Sequence, residues 1–206
     1  MAEADSREEG SMVGLICDEG IVLATNSRNN LICHLDERIY CCAPRSNADR
    51  DIILEVGTQV DYQTNDRHQK LTVAQVKDML CRKYENAATV DVLLAGQDRL
   101  GLHMYDLQPK RKTIRIQHGA KGGAKAEEIQ AYLSLYRKDP MNLAEAEQLV
   151  RESLRVGPDD YLDMCLIYKA EHTEVEEEAP ELPPETEPPL DAERQSISGR
   201  SLQSNW

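Results

Sequence analysis

The chain has 206 residues, 40% of them hydrophobic, and a formal net charge of −13. That length fits one good-sized domain, or one domain with a tail. An acidic chain lacks the basic face that a phosphate backbone requires, which excludes nucleic-acid binding as a leading function. No stretch approaches the ~18 apolar residues needed to cross a membrane, and the polar start, Met1–Gly10, has no basic patch followed by an apolar run. The cytosol or nucleus is the expected compartment, with no membrane partner.

Met12–Ile16 and Ile21–Thr25 are short apolar runs flanking Cys17-Asp-Glu-Gly20, the pattern of a β-hairpin. Asn30–Leu35 and Arg38–Ala43 are two further strands joined by Asp36-Glu37. Pro44 and Ser46 mark a change of period. Ala48, Ile52, Ile53, Val56 and Val60 then share one helical face, although Gly57 weakens the end of that helix by about 1 kcal/mol relative to alanine. Asp61–Lys70 is polar, either an extension of the helix or a loop. Thr72 with Gln75 three residues later has the form of a capping box, and Val73, Val76, Leu80 and Tyr84 form the stripe behind it.

Strands resume with Thr89–Ala95, a turn at Gly96–Arg99, Leu100–Leu107, a turn at Pro109–Lys112, and Thr113–Gln117. Gly119–Gly123 breaks the alternation. A helix with Ile129, Tyr132, Leu133 and Tyr136 facing inward follows, stopped by Asp139-Pro140. Asn142 and Glu145 cap the next one, whose core side carries Leu143, Ala146, Leu149, Val150 and Leu154. Gly157-Pro158 ends it, and Leu162–Ala170 is the last strand. Helix pairs alternating with blocks of antiparallel strands imply a layered α+β domain, with two sheets facing each other and helices on both outer faces.

From Glu171 onward the composition changes to ten acidic residues, two basic ones and repeated prolines. Such a segment cannot bury enough apolar area to offset its ordering entropy. It is read as a disordered solubilising tail, with Trp206 at its end. The organisation is thus a leader at 1–10, a domain at 11–170 and a tail at 171–206.

Several constellations carry little chemistry. The six cysteines include no C-x-x-C pair, and in a reducing compartment they are expected as free, small hydrophobes rather than zinc ligands or disulfides. His34, His68, His103, His118 and His172 show no metal spacing, and His103 is read as a packed strand residue. Gly119–Lys125 lacks the Gly-Lys-Ser/Thr of a phosphate loop. Lys110-Arg-Lys112 is a basic cluster in a tight turn. No cofactor or metal is expected.

Several segments resemble proteasome beta subunits, in the family's order. Asp18–Leu23 is similar to the first hairpin, and Ile39–Ala43 with Ser46–Asp49 to the family's Cys-Cys strand and the helix start after it. Leu94–Asp98 is similar to a glycine turn, Gly101–Tyr105 with Pro109 to a His-bearing strand, and Glu145–Gly157 with Leu162–Ile167 to the last helix and strand. The Cys-Cys and His-Met-Tyr strands look closest to the trypsin-like branch. The resemblance covers Met12 to Ala170. It implies the four-layer αββα sandwich of N-terminal-nucleophile hydrolases, proteasome alpha and beta subunits as partners, and a part in ubiquitin-dependent protein degradation.

Family members that cut peptides use an N-terminal threonine whose own amine acts as base, a lysine, an aspartate, a serine at a glycine turn and a second aspartate. This sequence keeps little of that set. Gly10-Ser11-Met12 stands where the threonine should precede the first strand, and Asn26 holds the aspartate position. A stretch expected after Arg28 is missing, so the lysine position falls on Leu31 or in the gap. Ala120, within Gly119-Ala-Lys121, holds the serine position, and Asp159 and Asp160 are both candidates for the second aspartate. Family precursors are cut after a glycine, so cleavage behind Gly10 would expose Ser11 as an alternative nucleophile. The segment from Ser11 to Gly20 is, however, one residue short of the family length. The resemblance implies a subunit that has lost its catalytic residues and serves structurally, with an active serine- or threonine-type endopeptidase as the alternative.

Overall fold

A computed structural model describes residues 10–108 and 113–170. Residues 1–9 of the expected leader, the Pro109–Lys112 turn with its basic cluster, and the acidic tail with His172 and Trp206 lie outside the described residues.

The first hairpin forms as expected. β1 (Met12–Cys17) pairs antiparallel with β2 (Gly20–Thr25) around Asp18-Glu19. All twelve residues of the two strands are buried, which is why both read as unbroken apolar runs rather than as alternating ones. Val13, Leu15 and Cys17 face one way, and Met12 and Ile16 the other, the period of two that a pleated strand imposes. β3 (Asn30–Asp36) and β4 (Ile39–Pro44) form a second antiparallel pair.

Ser46 caps α1 (Asn47–Asp61) by accepting from the Asp49 N–H at 3.0 Å. The helix passes through Gly57 and continues as a wider turn over Tyr62–Asp66. The polar segment after Asp61 is therefore in part an extension of the helix. Ile53, Val56 and Val60 are buried as expected, whereas Ala48, in the first turn, is exposed. α2 (Val73–Lys83) starts at the expected capping box, with Thr72 Oγ1 accepting from the Gln75 N–H at 3.2 Å and the Gln75 side chain accepting from the Thr72 N–H at 2.8 Å. Thr72→Ala removes this partner and is expected to lower stability by about 1 kcal/mol, measurable as a shift in the urea midpoint. A cost within ±0.3 kcal/mol of zero would show the cap to be idle. Tyr84 O–H donates to Asp49 Oδ1 at 2.9 Å and ties α2 to α1.

Four expectations are corrected between residues 89 and 123. β5 runs Leu93–Asp98, not Thr89–Ala95, and Gly96 sits inside it. The turn is the pair Arg99-Leu100, because Gly101 at φ +107° supplies the left-handed backbone that opens β6 (Gly101–Asp106). Thr113–Gln117 is not one strand. β7 (Ile114–Arg115) pairs with β6, and the chain then crosses to β8 (His118–Lys121), which pairs with β1. The expected glycine break at Gly119-Ala120-Lys121 is thus strand. The break falls one step later, at Gly122 and Gly123, both with positive φ.

α3 (Ala126–Tyr136) buries Ile129 and Leu133, but Tyr136 is 50% exposed and packs on Tyr132 at the helix shoulder. The apolar stripe is narrower than four residues at i, i+3, i+4 and i+7 suggest. α4 (Leu143–Ser153) has the expected capping box, Asn142 with Glu145, and the expected core face. β9 (Asp163–Tyr168) pairs with β2.

The strands form a four-stranded sheet ordered β8-β1-β2-β9 and a five-stranded sheet ordered β3-β4-β5-β6-β7. One apolar cluster joins α1 and α2 to the five-stranded sheet through Val56, Val76, Leu80 and Leu94. A second joins α3 and α4 to the four-stranded sheet through Val13, Val22, Leu133 and Val150. A third draws on both sheets, with Met12, Leu23, Leu93 and Met104 fully buried. Each such side chain contributes about 1.5–3 kcal/mol from burial.

Candidate functional site

The site is built at the entry to the first strand. The hairpin brings Thr25-Asn26 beside Ser11, because Met12 pairs with Thr25. The Ser11 N–H donates to Asn26 Oδ1 at 2.9 Å. The Ser11 hydroxyl, buried at 3% exposure, donates to the Gly122 carbonyl at 3.2 Å. Two of the expected positions, Ser11 and Asn26, are therefore together. They line a cleft of about 410 Å³ with Lys125, Tyr132, Ser153 and Arg155. Lys125 and Arg155 are exposed on its rim, and Arg155 lies 3.7 Å from Glu128.

The other positions are elsewhere. Leu31 is opposite Ala43 on β3 and lines a separate groove against α1. Ala120 is opposite Val13 on β8, its N–H donating to Gln130 Oε1 at 3.0 Å, and it packs with the α3–α4 cluster. Asp159 and Asp160 are exposed, and Asp160 Oδ2 accepts from the Gly157 N–H at 2.8 Å, closing the loop before β9.

Sequence reading missed the polar residues that fill the space beside Ser11. Asn30, buried at 6% exposure, donates through Nδ2 to the Gly10 carbonyl at 3.1 Å and to Thr25 Oγ1 at 2.9 Å. Ser27 is also buried, and its Oγ accepts from the Asn29 N–H at 3.1 Å. A Cβ on Gly10 would fall 1.9 Å from Ser27 Cβ, so the residue ahead of Ser11 has no room for a side chain. The only available signal was a pair of asparagines at a strand start, which reads equally well as a turn.

Chemically, the contacts of Ser11 are to an amide oxygen and a peptide carbonyl. Neither takes a proton near neutral pH, and activation of a hydroxyl needs a base within hydrogen-bond reach. What the arrangement does is fasten the start of β1 to β2 and to the turn before α3.

Two antiparallel sheets and two helix pairs make this an α+β domain, with a cleft at the head of its first strand lined by Ser11 and Asn26. The proteasome subunit family model matches residues 8–162. The chain belongs to that family, and within it is a divergent beta-type subunit. It is 23% identical over 180 residues to "Proteasome subunit beta type-7-A" of Arabidopsis thaliana, covering 77% of this chain and 66% of that protein. It is equally similar, at 23%, to "Proteasome subunit beta type-7-B" of the same plant, covering 65% of it. It is 26% identical over 163 residues to "Proteasome subunit beta type-6" of Dictyostelium discoideum, covering 71% of this chain and 76% of that one. The chain spans just under two thirds of the length of the two plant relatives.

Proposed function

We propose that the chain is a catalytically silent, structural beta-type subunit of a proteasome core particle, held among alpha and beta subunits in the cytoplasm and nucleus and contributing to ubiquitin-dependent protein degradation through assembly rather than cleavage. The observation that carries this reading is the state of Ser11. Its hydroxyl is buried and committed to a backbone carbonyl, and Asn26 occupies the place where the family resemblance calls for a carboxylate. The order of the apolar clusters supports reading the domain as four layers, helix pair, sheet, sheet and helix pair, as in N-terminal-nucleophile hydrolases. The Cys41-Cys42 and His103–Tyr105 strands favour the trypsin-like branch as the point of departure.

Two experiments test the proposal. Tagged chain sedimented from lysate on a glycerol gradient is expected to co-migrate with core-particle subunits; a small species at the top of the gradient sinks the assembly reading. Purified chain is expected to leave fluorogenic peptides with basic, acidic or apolar P1 residues uncut, with Ser11→Ala indistinguishable from the parent. The alternative, an endopeptidase with Ser11 freed behind Gly10, rests on the proximity of Ser11 to a cleft. It is established instead if turnover is found, vanishes in Ser11→Ala, and accompanies a mature N-terminus at Ser11.

A further inference from the structure

β3 and β4 place Cys33 directly opposite Cys41. Facing residues of an antiparallel pair have Cα atoms about 4.5–5.5 Å apart, within the roughly 4.4–6.8 Å range that a disulfide spans. Both side chains lie on the same face, among the α1–α2 cluster. Their access differs. Cys41 is fully buried, while Cys33 is half-buried and lines the groove of about 800 Å³ between β3 and α1, beside Arg50. β3 is the edge of its sheet, so among the described residues no strand lies on its outer side to resist a small shift of Cys33.

We propose that Cys33 and Cys41 form a reversible redox pair, with Cys33 the thiol that attacks a hydroperoxide entering from the groove and Cys41 the resolving thiol behind it. The Cys33 sulfur displaces one oxygen of hydrogen peroxide, giving the sulfenic acid and water. The Cys41 thiol then attacks that sulfur, forming the S–S bond and releasing a second water. In sum, two thiols are oxidised, losing two protons and two electrons, and one peroxide is reduced to two waters. A dithiol reverses the step by exchange and is itself oxidised to its disulfide.

The electrostatics favour this division of labour. A hydrogen bond from the Cys41 thiol, aided by Arg45 and Arg50 and opposed by burial, brings Cys33 down to about 7. The same hydrogen bond, together with burial, raises Cys41. Burial raises Cys17, Cys42 and Cys165. A groove-facing, low-pKa thiol backed by a second cysteine is the arrangement expected of a redox-sensing site.

The full chain, treated with a small excess of hydrogen peroxide at pH 7, alkylated and mapped by mass spectrometry, is expected to yield a Cys33–Cys41 cross-linked peptide as the main intramolecular product, lost again on dithiothreitol treatment. Cys41→Ser is expected to stop at a dimedone-reactive sulfenic acid on Cys33. In the parent chain, iodoacetamide alkylation of Cys33 should rise with pH to half its maximum near pH 7, and Cys41→Ala should move that midpoint upward. The proposal is overturned if Cys33 and Cys41 stay alkylatable while other cysteines oxidise, or if Cys33 proceeds directly to sulfinic acid with Cys41 still free. Mapping of the parent chain decides this without any variant having to fold.

Discussion

Replacing Lys121 with methionine is expected to destabilise the domain by about 3 kcal/mol. The Lys121 ammonium donates to the Val90 carbonyl at 2.6 Å and the Leu107 carbonyl at 3.0 Å, and lies 2.6 Å from Asp106 Oδ1. Asp106 Oδ2 also accepts from Gln108 Nε2 at 2.7 Å. Lys121 is on β8 of the four-stranded sheet, while Asp106 ends β6 and Val90 and Leu107 flank the five-stranded one. The ion therefore ties the two sheets at one end. Methionine matches the stem of lysine but leaves a carboxylate without its cation and two carbonyls without donors. Removing one partner of a buried pair costs about 3–5 kcal/mol. The side chains of Lys121 and Asp106 are 13% and 20% exposed, which places the effect at the lower end of that range. Asp106→Asn keeps an acceptor for Lys121 and should cost less, about 1–2 kcal/mol. The double variant should cost less than the sum, since no unpaired ion remains. Urea unfolding followed by far-UV circular dichroism measures all three. A loss below about 1 kcal/mol for Lys121→Met would mean that the contact is decorative.

The sequence around Lys121 shows where reading a chain works and where it fails. Gly119–Gly123 invites a turn because it holds three glycines in five residues. The hydrogen-bond ladder of β1 extends the strand to Lys121, and only Gly122 and Gly123 adopt the left-handed backbone. Pairing with β1 at the far end of the chain segment, Met12 opposite Lys121, decided this, and no local pattern records it. The two capping boxes were legible because their chemistry is local: Thr72 and Asn142 each bond a backbone N–H three residues on. The same holds for the first hairpin, where both faces are buried. At the site, the resemblance located Ser11 and Asn26, which do meet. It could not foresee Asn30 and Ser27 closing in, because their approach follows from the short connection between β2 and β3, where Ser27 and Asn29 lie within one tight turn. Leu31 and Ala120, aligned to catalytic positions, ended up elsewhere, Leu31 lining the groove against α1 and Ala120 packed on the α3–α4 cluster.

Gly20→Val is the substitution expected to do most damage among the small residues, about 3 kcal/mol or more of lost stability. In the sequence Gly20 reads as a turn glycine after Asp18-Glu19. In the fold it is the first residue of β2, paired with Cys17 on one side and Tyr168 on the other. Its conformation is not the reason a glycine is needed. A Cβ there would sit 2.2 Å from the Ile167 carbonyl oxygen and 3.1 Å from its carbon, both backbone atoms of the adjacent strand. A side chain in the way could change rotamer; a peptide group of β9, although β9 is the edge of its sheet, cannot move away without breaking this end of the β2–β9 ladder. The clash would also unseat Ile167, 3% exposed in the cluster that draws on both sheets, and the Lys169 N–H that donates to the Glu19 carbonyl at 2.7 Å. Gly101 provides the contrast. Its φ is +107° and nothing among the described residues lies within 4 Å of its added Cβ, so Gly101→Ala should cost only the backbone term, about 1–2 kcal/mol. If Gly20→Val unfolds in urea no more readily than Gly101→Ala, the close approach of β9 to β2 is not what fixes this glycine. If Gly20→Val fails to fold, Gly20→Ala read by the same urea midpoint keeps the comparison decisive, since a single methyl already meets the carbonyl.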